Sequence, residues 1–269
     1  MRSLINFATH RGKRPYQEDR YKYDVTEDGV LLAVFDGHGG SGVSEFCENN
    51  LLAAFNAVAD APELPTIPDK IRGIFDYLNS YTKGSHDGST ASFVFIPSTL
   101  TRAYVGILGD SPVIIKTGEG ELMDRQANLG KVVKSGEYWH SPEHNVRSNP
   151  AEVKRVTAAG GYVYDGYAFS GRGSLTSGGL QLSRTLGDRD FDDILSRDPE
   201  IFEVPLAAGS FVLVGTDGLL DPGHKSSAAA QEIVTLIERG ADAGQLVHQA
   251  AIAKPTGDNV TALLLRVTE

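Results

Sequence analysis

The stretch VLLAVFDGHGGSG, residues Val30–Gly42, joins an apolar run to an aspartate, a histidine and a cluster of glycines. The apolar part predicts a buried strand, and the run YKYDV before it, separated by TEDG, predicts a second strand and a turn. The run ends in an aspartate and several glycines. Burying a charge costs free energy, so a carboxylate at the end of a buried strand suggests a function. Asp36 and the glycines after it are therefore the first candidate functional residues.

Further along the chain the apolar period changes from helical to strand-like and back. Apolar residues at helical spacing predict a helix over 43–58 and a second helix after Pro68. The runs STASFVFI, RAYVGIL and PVIIK predict a meander of antiparallel strands. The remaining patterns predict a short helix capped by Asn149, strands at EIFEV and FVLVG, helices over 226–239 and 243–253, and a closing strand at VTALLLRV.

The order of these elements indicates the fold class. Strands cluster with strands and helices come in pairs, which differs from the regular alternation of a parallel sheet. We predict an α+β fold in which antiparallel sheets pack on each other with helices outside. Since no linker rich in Pro, Gly or Ser divides the sequence, residues 1–269 are predicted to form one domain.

Composition excludes several classes of protein. Acidic residues outnumber basic ones 35 to 25, which argues against nucleic acid or an anionic membrane as the main partner. The single cysteine, Cys47, allows no disulfide within the chain and lies on an apolar helix face, which favours a core position. No apolar run approaches the ~20 residues that span a bilayer, and the first residues lack the apolar centre of a signal peptide. We therefore expect a cytoplasmic protein.

Several carboxylates lie at the ends of predicted strands. Because neighbouring strand ends can converge and buried like charges repel, a chain that gathers such groups usually neutralises them with metal. Oxygen ligands without a His/Cys set select Mg²⁺, Mn²⁺ or Ca²⁺. The glycines after the first of these acids would bring backbone close to an ion. The residues concerned are Glu18, Asp19, Asp36, Asp110, Asp217 and Asp258.

Two further side chains have chemistry suited to a phosphate. Arg14 offers a planar fork of donors that suits a phosphate. The alternative role for Arg14 is an ordinary salt bridge at the surface. His38, two residues after Asp36, could protonate a leaving group, and the alternative is a loop histidine without a role. The glycine-rich stretch lacks the Gly-Lys-Ser/Thr ending of a nucleotide-binding P-loop.

These residues fall in ordered motifs that resemble those of the metal-dependent serine/threonine protein phosphatases of type 2C, the PPM family. Any one motif would be weak, but seven in order span nearly the whole chain. They are RPYQED (14–19), DGHGG (36–40), GSTA (88–91), GDS (109–111), LSRTLGD (182–188), TDGLLD (216–221) and GDNVT (257–261).

The resemblance implies a four-layer αββα sandwich, in which two antiparallel sheets are flanked by helices, with a flap insertion within about residues 124–180. It also implies two bound ions, Mg²⁺ or Mn²⁺, bridged by Asp36. Gly37 would give a carbonyl oxygen, and Asp217 and Asp258 would complete the shell of the first ion.

Other motif positions imply a wider set of ligands. Glu18 and Asp19 would act largely through metal-bound waters, and Asp110 would share a weaker third ion with Asp217. After GDS the family usually has arginine, whereas this chain has Pro112. A proline removes a strand donor, so we expect this strand edge to be altered and the third site to be the one most affected.

The implied reaction is hydrolysis of phosphoserine or phosphothreonine in proteins. A water activated between the two ions would attack directly, without a covalent phosphoenzyme. Arg14 would bind the substrate phosphate, and His38 would be the general acid. The implied partners are phosphorylated proteins, and a monomer is expected.

Two other classes of function stay open at this point. An aspartyl-phosphate phosphotransferase would need an Asp-x-Asp pair after the first strand, but His38 stands two residues after Asp36. A phosphatase-like binding or regulatory module would have lost metal positions, and all four central ones are present.

Overall fold

The computed structural model describes residues 2–117, 138–171, 178–220, 226–254 and 256–269. The helices are α1 (Gly42–Ala59), α2 (Ile67–Thr82), α3 (Pro150–Ala158), α4 (Ser226–Glu238) and α5 (Ala243–His248). The strands are β1 (Arg2–His10), β2 (Arg20–Val25), β3 (Gly29–Phe35), β4 (Gly37–His38), β5 (Gly88–Ser89), β6 (Ala91–Pro97), β7 (Arg102–Leu108), β8 (Val113–Lys116), β9 (Tyr138–His140), β10 (Tyr162–Tyr164), β11 (Tyr167–Phe169), β12 (Leu186–Gly187), β13 (Glu200–Pro205), β14 (Phe211–Gly215) and β15 (Val260–Thr268).

Two five-stranded antiparallel sheets form the centre of the molecule. Sheet A has the order β1-β15-β14-β8-β9, and sheet B has the order β13-β7-β6-β3-β2. A small third sheet has the order β12-β5-β4, and β10 and β11 form a hairpin. The small sheet carries the residues that directly follow Asp36, so its position matters for the site below.

Three apolar layers hold the sandwich together. The first lies between the two sheets and includes Leu32 and Val34 of β3. The second lies between sheet B and the helices α1 and α2, and it includes Leu31 and Phe35 of the same strand. The third lies between sheet A and the helices α4 and α5. Because side chains alternate between the faces of a strand, burial on both faces explains why VLLAVF is apolar throughout. The α+β fold and its αββα layers are confirmed.

The predicted three-strand meander is wrong in its third member. β6 and β7 are neighbours in sheet B, but β8 crosses to sheet A, where it pairs with β14 and β9. Pro112 precedes β8, and its carbonyl accepts a hydrogen bond from Gly215 N at 3.0 Å. An antiparallel hydrogen-bonded pair exchanges two such bonds, and Pro112 has no N–H to give the second, so the ladder between β8 and β14 lacks one donor at this end. The effect of Pro112 on a third metal site stays a prediction.

The helix predicted over 243–253 is present over that whole range, with a change of helix type inside it. The α-helix ends at His248, and Gln249–Ala253 form a π-helical turn before the segment that leads to Asp258. Near the other end of the chain, the strand β1 was not predicted. It pairs with β15 along its whole length, from Arg2 opposite Thr268 to His10 opposite Val260.

The segment in which the flap was predicted is described only in part. Residues 124–137 and 172–177 lie outside the described residues. The described part contains β9, α3 and the β10–β11 hairpin, and α3 packs on a small apolar cluster with Val156, Ala168 and Ile194. The flap boundaries and the single domain stay predictions.

Within the described residues, no helix has both the length and the apolar character needed to cross a membrane.

Candidate active site

Five aspartates from both halves of the sandwich meet at one end of it, and we call them the strand-end carboxylates. Asp36 and Asp110 follow β3 and β7 of sheet B, and Asp19 precedes β2 of the same sheet. Asp217 follows β14, and Asp258 lies two residues before β15, both in sheet A. The charges of the other four all act on Asp36. The structure therefore brings these five predicted site residues together.

The pair at the centre of the group is Asp36 and Asp217. Burial and the charges of Asp19 and Asp217 raise the pKa of Asp36 well above its usual range. Burial and the charges of Asp110 and Asp258 raise the pKa of Asp217 in the same way, although a hydrogen bond from Asp36 opposes this. Two acids in contact do not both ionise readily unless a cation neutralises them.

Asp19 has one satisfied and one unsatisfied oxygen. Its Oδ2 accepts hydrogen bonds from Thr216 Oγ1 at 2.9 Å and Thr261 Oγ1 at 2.8 Å. Its Oδ1 is buried and has no hydrogen-bond partner in the described part of the chain. Burial raises the pKa of Asp19 to about 7 despite the two threonines. A buried oxygen without a donor, beside other acids, fits a hard divalent cation with oxygen ligands.

Asp110 is buried and held by a side-chain amide. Asn145 Nδ2 donates to its Oδ2 at 2.7 Å, yet burial still raises the pKa of Asp110 to about 6. The neighbouring residue His144 is tied to Gly109 twice, because His144 N donates to Gly109 O at 3.0 Å and Gly109 N donates to His144 Nδ1 at 3.1 Å. Residues 144–145 therefore fix the position of the Asp110 carboxylate.

Arg14 forms an ion pair with one of the strand-end carboxylates. Its Nη2 donates to Asp258 Oδ2 at 2.7 Å, and its Nε donates to Gly257 O at 3.2 Å. The side chain of Arg14 is 48% exposed, whereas that of Asp258 is 26% exposed. The surface salt bridge considered from the sequence is thus present, but its acidic partner belongs to the candidate site, and a phosphate at the site would compete for the same guanidinium.

Glu18 and Gly37 meet through their backbones. Glu18 N donates to Asn259 Oδ1 at 2.8 Å, and Glu18 O accepts from Ser44 Oγ at 2.6 Å. A Cβ at position 37 would lie 2.6 Å from Glu18 O and 2.6 Å from Ser44 Oγ. The glycine after Asp36 is needed there because it lets the segment that carries Glu18 lie against the end of β3.

Buried hydroxyl groups hold the backbone of Asp36. Asp36 N donates to Thr90 Oγ1 at 3.0 Å, and Thr90 N donates to Asp36 O at 2.9 Å. Thr90 Oγ1 lies 2.6 Å from Ser111 Oγ, and Ser92 Oγ donates to Ser111 O at 2.7 Å. The motifs GSTA and GDS therefore have a structural task, which is to fix the strand end that presents Asp36.

His38 lies next to the carboxylates and is hydrogen-bonded to another acid. It is close enough to Asp110 that a charge on its ring would oppose the rise in the pKa of Asp110 that burial causes. Its Nε2 lies 2.8 Å from Oδ2 and 3.0 Å from Oδ1 of Asp188, the last residue of LSRTLGD. The role of Asp188 was not predicted from the sequence, although its motif was. Asn145 was missed as well, because it lies in an irregular segment without a periodic signal.

A second group of ionisable side chains surrounds two buried members, His144 and Glu152. We call it the Glu152 network, and it consists of His144, Glu152, Arg155, Arg184 and Glu200. The histidine and the two glutamates place possible ligand atoms within 4.8 Å of one another. However, Arg184 Nη2 donates to Glu152 at 2.6 Å and to Glu200 at 3.0 Å, and Arg155 Nε donates to Glu152 at 2.8 Å. Although burial alone would raise it, these donors lower the pKa of Glu152 to about 2. The two arginines neutralise this group without a metal.

The fold and the site together define a class of hydrolase in which acids from both sheets of an αββα sandwich meet beside an arginine and a histidine. Residues 13–260 match the family model of protein phosphatase 2C. The chain therefore belongs to this family of protein serine/threonine phosphatases, and the family and enzyme class predicted from the sequence are confirmed.

Individual relatives are distant but cover nearly all of the chain. Probable protein phosphatase 2C 69 of Arabidopsis thaliana is 28% identical over 276 residues, which is 98% of this chain and 70% of the relative. Probable protein phosphatase 2C 52 of Oryza sativa subsp. japonica is 28% identical over 274 residues, which is 97% of this chain but 50% of the relative. The chain thus spans between 50% and 70% of the length of these two curated relatives.

Solved structures show the same fold at lower identity. The serine-threonine phosphatase 2C from Toxoplasma gondii has a TM-score of 0.68 to this chain at 20% identity, covering 97% of this chain and 93% of that one.

Proposed function

We propose that this chain hydrolyses phosphoserine and phosphothreonine in phosphorylated proteins with the help of two divalent ions, Mg²⁺ or Mn²⁺. One observation carries the proposal. Burial raises the pKa values of four of the five strand-end carboxylates, and for Asp19, Asp36 and Asp217 the charges of other acids in the group add to the effect. Within the described residues a single ion pair, from Arg14, reaches the group.

The residues present fit such ions. Asp36, on which the charges of the other four acids act, would be shared by the two ions, with Gly37, Asp217 and Asp258 completing the first site. Glu18 and Asp19 would contribute through water, and Asp110 with Asp217 would hold a weaker third ion. When bound, the ions supply an activated water and charge stabilisation for the phosphoryl oxygens.

The protein's own side chains would orient the substrate and assist the leaving group. Arg14 is exposed and already placed at Asp258, so its planar fork could exchange the carboxylate for a substrate phosphate. His38 would donate a proton to the departing serine or threonine oxygen. Both roles use groups that lie beside the carboxylates and leave the carboxylates free for metal.

Turnover of an aryl phosphate and of a phosphoserine peptide, with Mn²⁺ and with chelator, tests the proposal. We expect activity that requires the metal and no trapped phosphoenzyme. Metal-independent turnover, or a phosphoaspartate captured on quenching, would contradict it. Binding of phosphopeptide without any turnover would instead favour a binding module.

The remaining expectations from the sequence stay predictions. They are a monomeric state, a cytoplasmic location, and partners that are phosphorylated proteins rather than nucleic acid or membrane.

A further inference from the structure

We propose that Asp188 is a positioning residue for His38, holding the hydrogen of Nε2 so that Nδ1 is the nitrogen that protonates the leaving group. The inference rests on the proposed phosphatase function and deepens it. Neither the family match nor the relatives assign a role to Asp188.

The contact between the two side chains is short and sheltered. Both carboxylate oxygens of Asp188 lie within 3.0 Å of His38 Nε2. An ionised carboxylate can only accept hydrogen bonds, so Nε2 must be the donor. The Asp188 side chain is 6% exposed and that of His38 is 29% exposed. Water therefore competes only weakly for the hydrogen bond between His38 Nε2 and Asp188. The other ring nitrogen, Nδ1, is the one available to protonate the leaving group.

The small sheet is built so that these two side chains can meet. His38 of β4 pairs with Gly88 of β5, and Gly88 pairs with Gly187 of β12, directly before Asp188. A Cβ at position 88 would lie 2.0 Å from Asp188 Oδ2 and 2.4 Å from His38 Nε2. Only glycine leaves room for the pair, so three of the seven sequence motifs converge on this one contact.

The backbone of Asp188 has an unusual conformation that serves the same contact. Its φ is +52°, in the left-handed region, which few non-glycine residues adopt and in which aspartate and asparagine are enriched. Asp188 N donates to Asp87 O at 3.0 Å, and Arg189 N donates to Ser85 O at 2.9 Å. These bonds hold the residue so that its carboxylate faces His38.

The chemical step that follows is balanced. The oxygen of the attacking water forms a bond to phosphorus while the bond from phosphorus to the serine or threonine oxygen breaks. The electron pair of that bond goes to the leaving oxygen, which takes a proton from Nδ1 of the His38 imidazolium. The neutral imidazole keeps its hydrogen on Nε2, bonded to Asp188. The proton lost by the water goes to solvent, from which His38 is recharged.

A buried carboxylate that fixes the tautomer and orientation of a histidine is a known device in acyl transfer. In Ser-His-Asp triads, replacing the aspartate with asparagine leaves the geometry intact but stabilises the wrong tautomer. Asn is also the best substitute here, because it tolerates the left-handed backbone conformation that Asp188 adopts. Asp188→Asn is therefore the informative variant.

The first test reads the tautomer directly and needs neither metal nor activity. Nitrogen-15 NMR of the metal-free protein, with the His38 signals assigned from His38→Gln, is expected to show the neutral ring protonated at Nε2. In Asp188→Asn the Nε2 hydrogen should be lost or shared with Nδ1. A wild-type ring protonated at Nδ1 would overturn the inference, and so would an unchanged spectrum in the variant.

The second test separates positioning from a structural role. A general acid typically contributes about 10²–10⁴-fold, so Asp188→Asn should lower kcat for a phosphoserine peptide at least about tenfold. The KM should stay unchanged, and an aryl phosphate should be little affected, because a phenol needs little protonation to leave. The double variant with His38→Gln should be no slower than His38→Gln alone. Equal losses on both substrates, or additive losses, would contradict the proposal.

A matched control lies nearby. Asp190 Oδ2 is 2.7 Å from His86 Nδ1, and both side chains are 62% exposed. Asp190→Asn removes the same group from a histidine–aspartate pair at the surface, and we expect it to leave kcat unchanged on both substrates. If the wild type hydrolyses neither substrate, the proposed function fails while the spectra still decide the contact. If Asp188→Asn does not fold, the wild-type spectrum alone decides it.

Discussion

The strand-end carboxylates and the Glu152 network both contain buried acids, but the negative charges of these acids are balanced in different ways. In the network, donors from Arg184, Arg155 and Ser183 lower the pKa of Glu152 to about 2 in spite of burial. At the strand ends, burial raises the pKa values of four of the five aspartates, and neighbouring acids add to the effect.

The difference shows that this chain can supply its own counter-charges where a buried acid is structural. A buried acid that lacks a partner costs free energy, so leaving several of them together is tolerated only where something else compensates. For the strand-end carboxylates we infer that the compensation comes from outside the chain, as bound cations.

The largest expected effect is on stability, in the Glu152 network. Glu152→Gln removes the buried acid that pairs with Arg155 and Arg184, although Arg184 keeps its bond to Glu200. Breaking a buried ion pair costs about 3–5 kcal/mol. Urea unfolding should show this loss. The control is Glu232→Gln, since Glu232 pairs with Lys254 and both side chains are about half exposed, and exposed pairs contribute only about 0–1 kcal/mol. Equal effects of the two changes would remove the distinction between the groups.

Removing a charge from the strand-end carboxylates should lower the turnover rate. Asp36→Asn and Asp217→Asn are each expected to cut activity at least about 100-fold, because losing a transition-state charge stabiliser typically costs that much. Steady-state rates with Mn²⁺, normalised to folded protein, measure it. A folded Asp36→Asn protein with near-normal activity would contradict the metal assignment.

Arg14→Ala should affect substrate binding more than the chemical step. A hydrogen bond to a charged group contributes about 1.5–3 kcal/mol, so the KM should rise by about 10- to 100-fold, since 1.4 kcal/mol is a factor of ten. His38→Gln should raise the KM less and mainly lower kcat, more for alkyl than for aryl phosphates. An unchanged KM in Arg14→Ala would mean that the salt bridge with Asp258 is its main role.

The two groups should also respond to pH with opposite signs. The folded-state pKa values of Asp19 and Asp110 are raised from 3.8 to about 7 and about 6, so the metal-free fold loses stability as pH rises from about 4 to about 7. Glu152, lowered from 4.5 to about 2, contributes stability above about pH 4.5 and loses it as pH falls toward 2.

Thermal melts in chelator at pH 5 and pH 7 check this prediction. Burial lowers the pKa of His144, so this residue favours the folded state more as pH rises and opposes the effect of the aspartates. The change in wild-type melting temperature between pH 5 and pH 7 is therefore compared with that of Asp217→Asn. The variant keeps every histidine, and its melting temperature should fall less than that of the wild type between pH 5 and pH 7. A wild type with the same slope as the variant would count against repulsion among the aspartates.

Much of the fold could be predicted because its signals are local. The apolar run of β3 and the helical spacing of α1 and α2 each reflect burial against a neighbouring layer. The sheet that β8 joins could not be predicted, because a short β-branched run fits either sheet. β1 was missed because it is an edge strand whose burial alternates weakly and whose order comes from pairing with β15.

The site divides in the same way. Acids that follow apolar strands are visible in the sequence, so the strand-end carboxylates could be proposed before the structure. Asp188 is 150 residues from His38, and Asn145 is 35 residues from Asp110. Such contacts depend on the path of the whole chain, and no local pattern predicts them.

The central claim is that the strand-end carboxylates form a site for divalent cations. Thermal melting across a Mg²⁺ or Mn²⁺ titration at constant ionic strength tests it most directly. A ligand that binds only the folded state stabilises it by about 2.7 kcal/mol at a hundredfold excess over its dissociation constant. For a domain of this size each kcal/mol corresponds to roughly 2–4 °C.

We therefore expect the wild-type midpoint to rise by several degrees with millimolar metal and to return with chelator. Asp217→Asn should melt higher than the wild type in chelator, because one repelling charge is gone, and should gain less when metal is added. A wild type whose midpoint does not depend on metal, together with a variant that melts lower in chelator, would contradict the claim.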